Sequence, residues 1–150
     1  MNDGGQMSGL TERLRADLNS ARRERDKLRT MVLTTTLSEI KNRQIEMGRE
    51  PTDEDVTEVV GRAIKKRREA AEQIRAVGRS DLADREEQEA ALLLPYMPEQ
   101  LSEDEVRQIV RDAIAGGANS VGSVMGAIMP RLKGRFDGRE TNRIVREELG

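Results

Sequence analysis

The sequence predicts an all-α protein in two parts, a multihelical N-terminal domain over residues 8–95 and a small three-helix tail domain over 99–149. Three observations predict it. Apolar residues recur at spacings of three and four along nearly the whole chain, the mark of one buried helix face, and nothing reads as a strand. The aromatics are Tyr96 and Phe136 alone, so Leu, Ile, Val, Met and Ala must build the core, which favours thin helical layers over a thick sandwich. Pro95 and Pro98 stop the helical pattern and mark a domain boundary too short to be a flexible linker.

Residues 1–7 are polar and glycine-containing and are expected to form a disordered leader. Leu10, Leu14, Leu18 and Ala21 then share one helix face, with Ser8 or Thr11 as the cap. A second periodic stretch runs from Leu28 through Leu37 and Ile40 to Gly48, with Pro51 just beyond as a helix stop. No breaker separates the two, so the sequence allows one long helix or a hairpin bent near Arg25. Thr52 caps the next helix, and Asp53, Glu54 and Asp55 place negative charge on its first turn, where the helix dipole favours it. Its apolar stripe runs from Val56 to Val77 and stops at Gly78. Ser80 is read as the cap of a fourth helix reaching Leu94.

Past the boundary, Ser102 and Glu105 form a capping box in which the serine oxygen takes the third helical N–H and the glutamate reaches back. Val106, Ile109, Val110, Ala113 and Ile114 make that helix's buried side, and Gly116-Gly117 ends it. Ser120 caps the following helix, whose Val121, Val124, Met125, Ile128, Met129 and Leu132 keep helical spacing up to Gly134. Asp137 and Glu140 are a further possible capping box, ahead of Ile144, Val145 and Leu149 on the last helix.

Composition narrows the chemistry. A chain of 150 residues buries about 68–70% of its unfolded surface, enough for a packed core. Cysteine and histidine are both absent, which removes disulfides, thiol nucleophiles, Cys/His zinc sites and any Ser-His or Cys-His pair. No apolar run approaches 18 residues and no basic stretch precedes one at the N-terminus, so neither a membrane span nor export is indicated and the default compartment is the cytoplasm. The net charge is −2, yet residues 131–146 hold six basic side chains against two acidic ones. No catalytic residue, metal or cofactor is assigned from these residues.

The tail carries a recognisable run: Gly122, Val124-Met125-Gly126, Met129, Lys133-Gly134-Arg135, Asp137-Gly138, Asn142, Val145 and Leu149. Upstream stand Ile64-Lys65-Lys66-Arg67, Gly78-Arg79-Ser80-Asp81-Leu82, Glu86, Glu89, and Leu94 to Leu101 with Tyr96, Pro98 and Gln100. Together these resemble the stand-alone YqeY-like members of the GatB/YqeY family, and the tail more loosely resembles the end of the GatB subunit of tRNA-dependent amidotransferases. The resemblance implies an all-helical protein whose tail contacts tRNA. It also brings a family label, carbon–nitrogen ligase with glutamine as amido-N-donor. This chain lacks the amidotransferase's phosphorylating domain and its Gly/Ser-rich amidase segment, so its residues do not support that catalysis alone.

The turn from Lys133 to Arg139 has two readings. In one, Gly134 reverses the chain, and Lys133, Arg135 and Arg139 converge on the free N–H groups of a helix starting at Asp137 or Gly138. Such a cradle suits phosphate, with Asn142 and Arg143 adding contacts to sugar and backbone. In the other, Gly134 and Gly138 shape the turn, Asp137 caps the helix and the cations are solvated. Gly122 and Gly126 share a helix face and are expected to let a neighbouring helix approach closely. Charges in Lys65-Lys66-Arg67-Arg68 fan around a helix, with Glu69 and Glu72 in range to pair. Asp84, Glu86, Glu87 and Glu89 are read as a solvated face, and Tyr96 as a plug between the domains. With two aromatics, base stacking is close to excluded. The leading expectation is a non-catalytic protein that binds tRNA or another structured RNA through Lys133, Arg135, Arg139, Asn142 and Arg143. The alternatives are a helical adaptor docking on amidotransferase or synthetase proteins, and the family-associated ligase.

Overall fold

The computed structural model describes residues 7–150; residues 1–6, most of the expected leader, lie outside the described part. It contains seven α-helices and no strand among the described residues. The helices are α1 (Gly9–Arg23), α2 (Lys27–Met47), α3 (Asp53–Ala76), α4 (Ser80–Leu93), α5 (Glu103–Ala115), α6 (Val121–Leu132) and α7 (Gly138–Leu149), with a 3-10 turn at Leu94–Tyr96. They form two compact units, one ending at Met97 and one spanning Pro98–Gly150.

In the first unit α1 to α4 pack as an antiparallel array. α1 and α2 make a hairpin, not one long helix. The break is a turn in which the Arg25 N–H donates to the Arg22 carbonyl and the Asp26 N–H to that of Ala21, with Arg25 left-handed at φ 59°. Asp26 then caps α2 by accepting from the Arg29 N–H. Ser8 caps α1, and the Leu10 N–H donates to Asp53 at 3.0 Å, so α1 and α3 begin at the same end of the unit. Thr52 and Asp55 form a full capping box on α3, and the left-handed Gly48 ends α2. The core is built from Leu14, Leu18, Val32, Leu33, Ile40, Val56, Val60, Ile64, Ala90 and Leu93. Each fully buried leucine is worth about 1.5–3 kcal/mol relative to exposure.

Several expectations need correction here. Ser80 does not cap α4; Arg79 holds that position without a side-chain cap and Ser80 is the first helical residue. Val77 follows the last turn of α3 and is 76% exposed, because the apolar stripe ends before it. Glu89 is not on the solvated face. It is 8% exposed, with its carboxylate 3.6 Å from Arg67 Nε and 3.8 Å from Arg85 Nε. Arg67 also donates to the Ala63 carbonyl, and among the described residues Glu69 and Glu72 pair with none of the neighbouring cations. Tyr96 is built into the N-terminal unit, 5% exposed and packed with its core.

The second unit is a three-helix cluster around Val106, Val110, Val124, Ile128, Leu132, Ile144 and Val145, with Phe136 packed against it. Capping boxes start α5 (Ser102 with Glu105) and α6 (Ser120 with Ser123). Asp137 caps α7 alone, because the Glu140 carboxylate turns forward to Arg143. Gly122 and Gly126 do not sit under a neighbouring helix. Both are exposed, and a Cβ at either position would meet nothing within 4 Å. The buried face of α6 is Val124, Ile128 and Leu132, about a quarter-turn or more away from these glycines.

Candidate nucleic-acid interface

The turn between α6 and α7 is a built structure. α6 ends at Leu132, Lys133 is its C-cap with the backbone N–H donating to the Met129 carbonyl, and Gly134 takes φ 75°. That left-handed residue reverses the chain without a steric clash. The segment entering α5 then laces onto the turn. The Leu101 N–H donates to the Arg135 carbonyl, and the Gln100 side-chain amide donates to the Gly134 carbonyl. Arg135 reciprocates, with Nε donating to the Glu99 carbonyl at 3.0 Å and Nη1 to the Arg131 carbonyl at 3.2 Å. Carbonyl partners fix this guanidinium without neutralising it, and leave other N–H groups of its fork unspent.

At the start of α7 the helical N–H groups of Arg139 and Glu140 both donate to Asp137 Oδ1, at 2.7 and 3.3 Å. The capping carboxylate therefore stands where a phosphate would lie in a helix-N-terminus cradle. Arg139 is exposed and makes no ion pair among the described residues. The same holds for Arg131. Asn142 is half-buried and its Oδ1 accepts from Arg146 Nε.

Arg143 is drawn elsewhere. Its guanidinium bonds Glu140, Glu147 and, from α5, Glu103, at 2.6 to 3.0 Å. Arg107 completes the lattice, holding Glu103, Glu147 and Glu148, and Arg111 also holds Glu148. These hydrogen bonds raise the pKa of Arg107, led by Glu147, and that of Arg143, led by Glu140. They lower those of Glu103 and Glu147, in both cases chiefly through Arg107, and of Glu148, chiefly through Arg111. The lattice staples α5 to α7. The sequence gives no sign of it, because its members are about forty residues apart and each looks like an ordinary surface charge.

A family model for Yqey-like proteins matches residues 11–149, nearly all of the chain and all seven helices but the first two residues of α1. The chain belongs to the YqeY-like family. This YqeY-like chain is similar to proteins of three organisms. It is 29% identical over 144 residues to "Altered inheritance of mitochondria protein 41, mitochondrial" of Pyrenophora tritici-repentis, covering 92% of this chain and 80% of that protein. A Clavispora lusitaniae protein of the same name is 27% identical over 127 residues, covering 82% and 74%. An uncharacterized Schizosaccharomyces pombe protein is 36% identical over 89 residues, covering 59% and 72%.

These relatives overturn the cytoplasmic expectation. Two of them are named as mitochondrial proteins. A missing secretory pattern bears on export alone, whereas organelle import signals have a different, amphipathic and Arg-rich character. No helix among the described residues is long and apolar enough to cross a membrane.

Proposed function

We propose that this YqeY-like protein is a non-catalytic, tRNA-associated accessory factor whose C-terminal unit holds RNA backbone with the cations of the α6–α7 turn. One observation carries the reading. Among the described residues Arg131, Arg135 and Arg139 have no carboxylate partner, while the acids of the same unit's lattice are engaged by Arg107, Arg111 and Arg143. Positive charge is thus concentrated at the turn, and Arg135 is held in place before any ligand arrives. Lys133 lies between them in sequence and is exposed. Asn142 and Arg143 take a supporting part, since intrachain bonds already occupy them. With Asp137 on the helix N-terminus, phosphate is held by side chains and not by the end of α7.

The test is tRNA binding by the purified protein across a salt series, with Arg131, Lys133 and Arg139 changed to Glu and Arg111→Gln as a control. Every phosphate no longer neutralised should flatten the salt slope by about 0.7–0.9, and Arg111→Gln should change it little. Unchanged binding in the triple variant would sink the proposal. The ligase reading has no candidate nucleophile and base; amidated product from glutamine, ATP and charged tRNA would revive it. Exposed Met31 beside Leu28, in a shallow groove between α2 and α4, favours the adaptor reading. Binding that persists at high salt would support that alternative.

A further inference from the structure

Three helices of this chain end in the same hydrogen-bonded turn, and one of the three does so without glycine. After α3, the Gly78 N–H donates to the Arg75 carbonyl and the Arg79 N–H to that of Ile74, with Gly78 at φ 82°. After α5, Gly117 and Ala118 make the equivalent bonds, with Gly117 at φ 113°. After α1 the left-handed position is Arg25, the one non-glycine residue with positive φ among those described. An L-residue is disfavoured there by contact between its Cβ and the backbone, and glycine is the common solution. No side-chain contact among the described residues accounts for the exception. The Arg25 guanidinium is exposed and makes no hydrogen bond or ion pair among the described residues.

The surroundings are also unbalanced. Residues 22–27 hold Arg22, Arg23, Arg25 and Lys27 against Glu24 and Asp26, and all six are exposed. The Asp26 carboxylate caps α2, and Arg23 reaches back to the Ser20 hydroxyl. Across the groove from Lys27, Asp81 and Asp84 are already paired, with Arg79 at 3.8 Å and Arg75 at 3.2 Å. The tip of the α1–α2 hairpin therefore presents cations that no carboxylate among the described residues of the unit neutralises, one of them kept at a backbone position that favours another residue. Strain of this kind is retained at functional positions when the side chain is needed there.

We infer that the α1–α2 turn is a second RNA-backbone contact, with Arg22, Arg25 and Lys27 neutralising phosphates. An anionic membrane surface fits less well, because surface anchoring needs a broad apolar face beside the cations, whereas residues 22–27 carry no apolar side chain and the adjoining groove adds only Met31 and the half-buried Leu28. The inference rests on RNA being the partner but not on the α6–α7 turn being a contact.

Full-length wild type is compared with three variants: Arg22→Gln with Arg25→Gly and Lys27→Gln; Arg131→Glu with Arg139→Glu; and all five changes. Binding to total tRNA and to phosphatidylserine-containing vesicles is followed across a salt series. The hairpin variant is expected to flatten the tRNA salt slope by about 0.7–0.9 for each phosphate left without its cation and to weaken binding about tenfold. Arg25→Gly alone is expected to raise the unfolding temperature while weakening tRNA binding. Weakened binding in the hairpin variant with retention in the Arg131/Arg139 variant keeps this inference and rejects the tail contact. The reverse pattern overturns it and leaves the tail contact standing. Wild-type slope in the hairpin variant, hairpin-dependent binding to vesicles but not tRNA, or a lower unfolding temperature in Arg25→Gly would each overturn it.

Discussion

Tyr96 and Asp17 stand 79 residues apart in sequence and share one hydrogen bond, the tyrosine hydroxyl donating to Oδ2 of the aspartate. The same carboxylate lies 3.8 Å from Arg29 of α2, and the Arg13 guanidinium stands 4.8 Å above the tyrosine ring. A single aromatic side chain thereby ties α1, α2 and the last turn of the N-terminal unit together.

Removing the hydroxyl should be mild and removing the ring severe. Tyr96→Phe is expected to destabilise the N-terminal unit by about 1 kcal/mol, and Tyr96→Ala by about 3–5 kcal/mol through the cavity it leaves. Urea unfolding followed by circular dichroism would rank them. Equal losses would mean that the ring packs less tightly than its 5% exposure implies.

Burial and then the Asp17 hydrogen bond push the Tyr96 pKa up from 10.0 to about 12. The folded state holds this proton more tightly than the unfolded state, so the contribution is complete below pH 10 and is lost as pH rises towards 12. Wild type should lose stability relative to Tyr96→Phe over that window. At the other extreme, the Arg49 hydrogen bond, followed by the Thr52 backbone, lowers Asp55 from 3.8 to about 2. Its contribution is present above pH 3.8 and is lost as pH falls through 2. Asp55→Asn should remove this acid-side loss while loosening the capping box of α3 at neutral pH.

The Arg67–Glu89 pair is an ion pair with little solvent around it, the two side chains being 12% and 11% exposed. Breaking one side strands the other, so Glu89→Leu and Arg67→Met should each cost more than the double replacement. A double-mutant cycle in urea checks this. Additive losses would show that solvent screens the pair.

Because a Cβ at Gly122 or Gly126 meets open space, Ala at either position should stabilise the C-terminal unit by up to about 1 kcal/mol from helix propensity alone. Destabilisation measured by thermal unfolding would restore the close-packing role expected from the sequence.

Arg107→Gln should lower the unfolding temperature of the C-terminal unit, because Glu103, Glu147 and Glu148 lose a shared partner. The deficit should shrink in 1 M salt, where the Debye length is about 3 Å and exposed pairs are screened. A deficit independent of salt would point to poorer packing by the shortened side chain.

The all-helical class was legible because helix faces and caps are local signals: Ser8, Thr52, Ser102 and Ser120 each announce a helix that the structure contains. What escaped depends on the third dimension or on backbone energetics. A hairpin bent near Arg25 was one of two options the sequence left open, and the turn bonds, the Asp26 cap and the positive φ of Arg25 decide for it. Glu89 looks like its exposed neighbours until Arg67 closes over it. Pro130 sits inside α6 despite its missing N–H, in the last turn and on an exposed face where water can reach the Gly126 carbonyl, which loses its usual i+4 donor. Of the turn residues, Gly134 and Asp137 were legible from their chemistry. The partners of Arg135 and Arg143 were not, since Glu99 and Glu103 lie 36 and 40 residues away.

Placing Tyr96 at the very end of the first unit has a consequence for synthesis on the ribosome. Chains emerge from the N-terminus and domains fold as units in that order. Asp17, Arg13 and Arg29 emerge well before the ring that joins them, so this tie cannot form until residue 96 is outside the exit tunnel. A pause in translation a short distance beyond that codon would give the unit time to close before the basic turn of the next one appears.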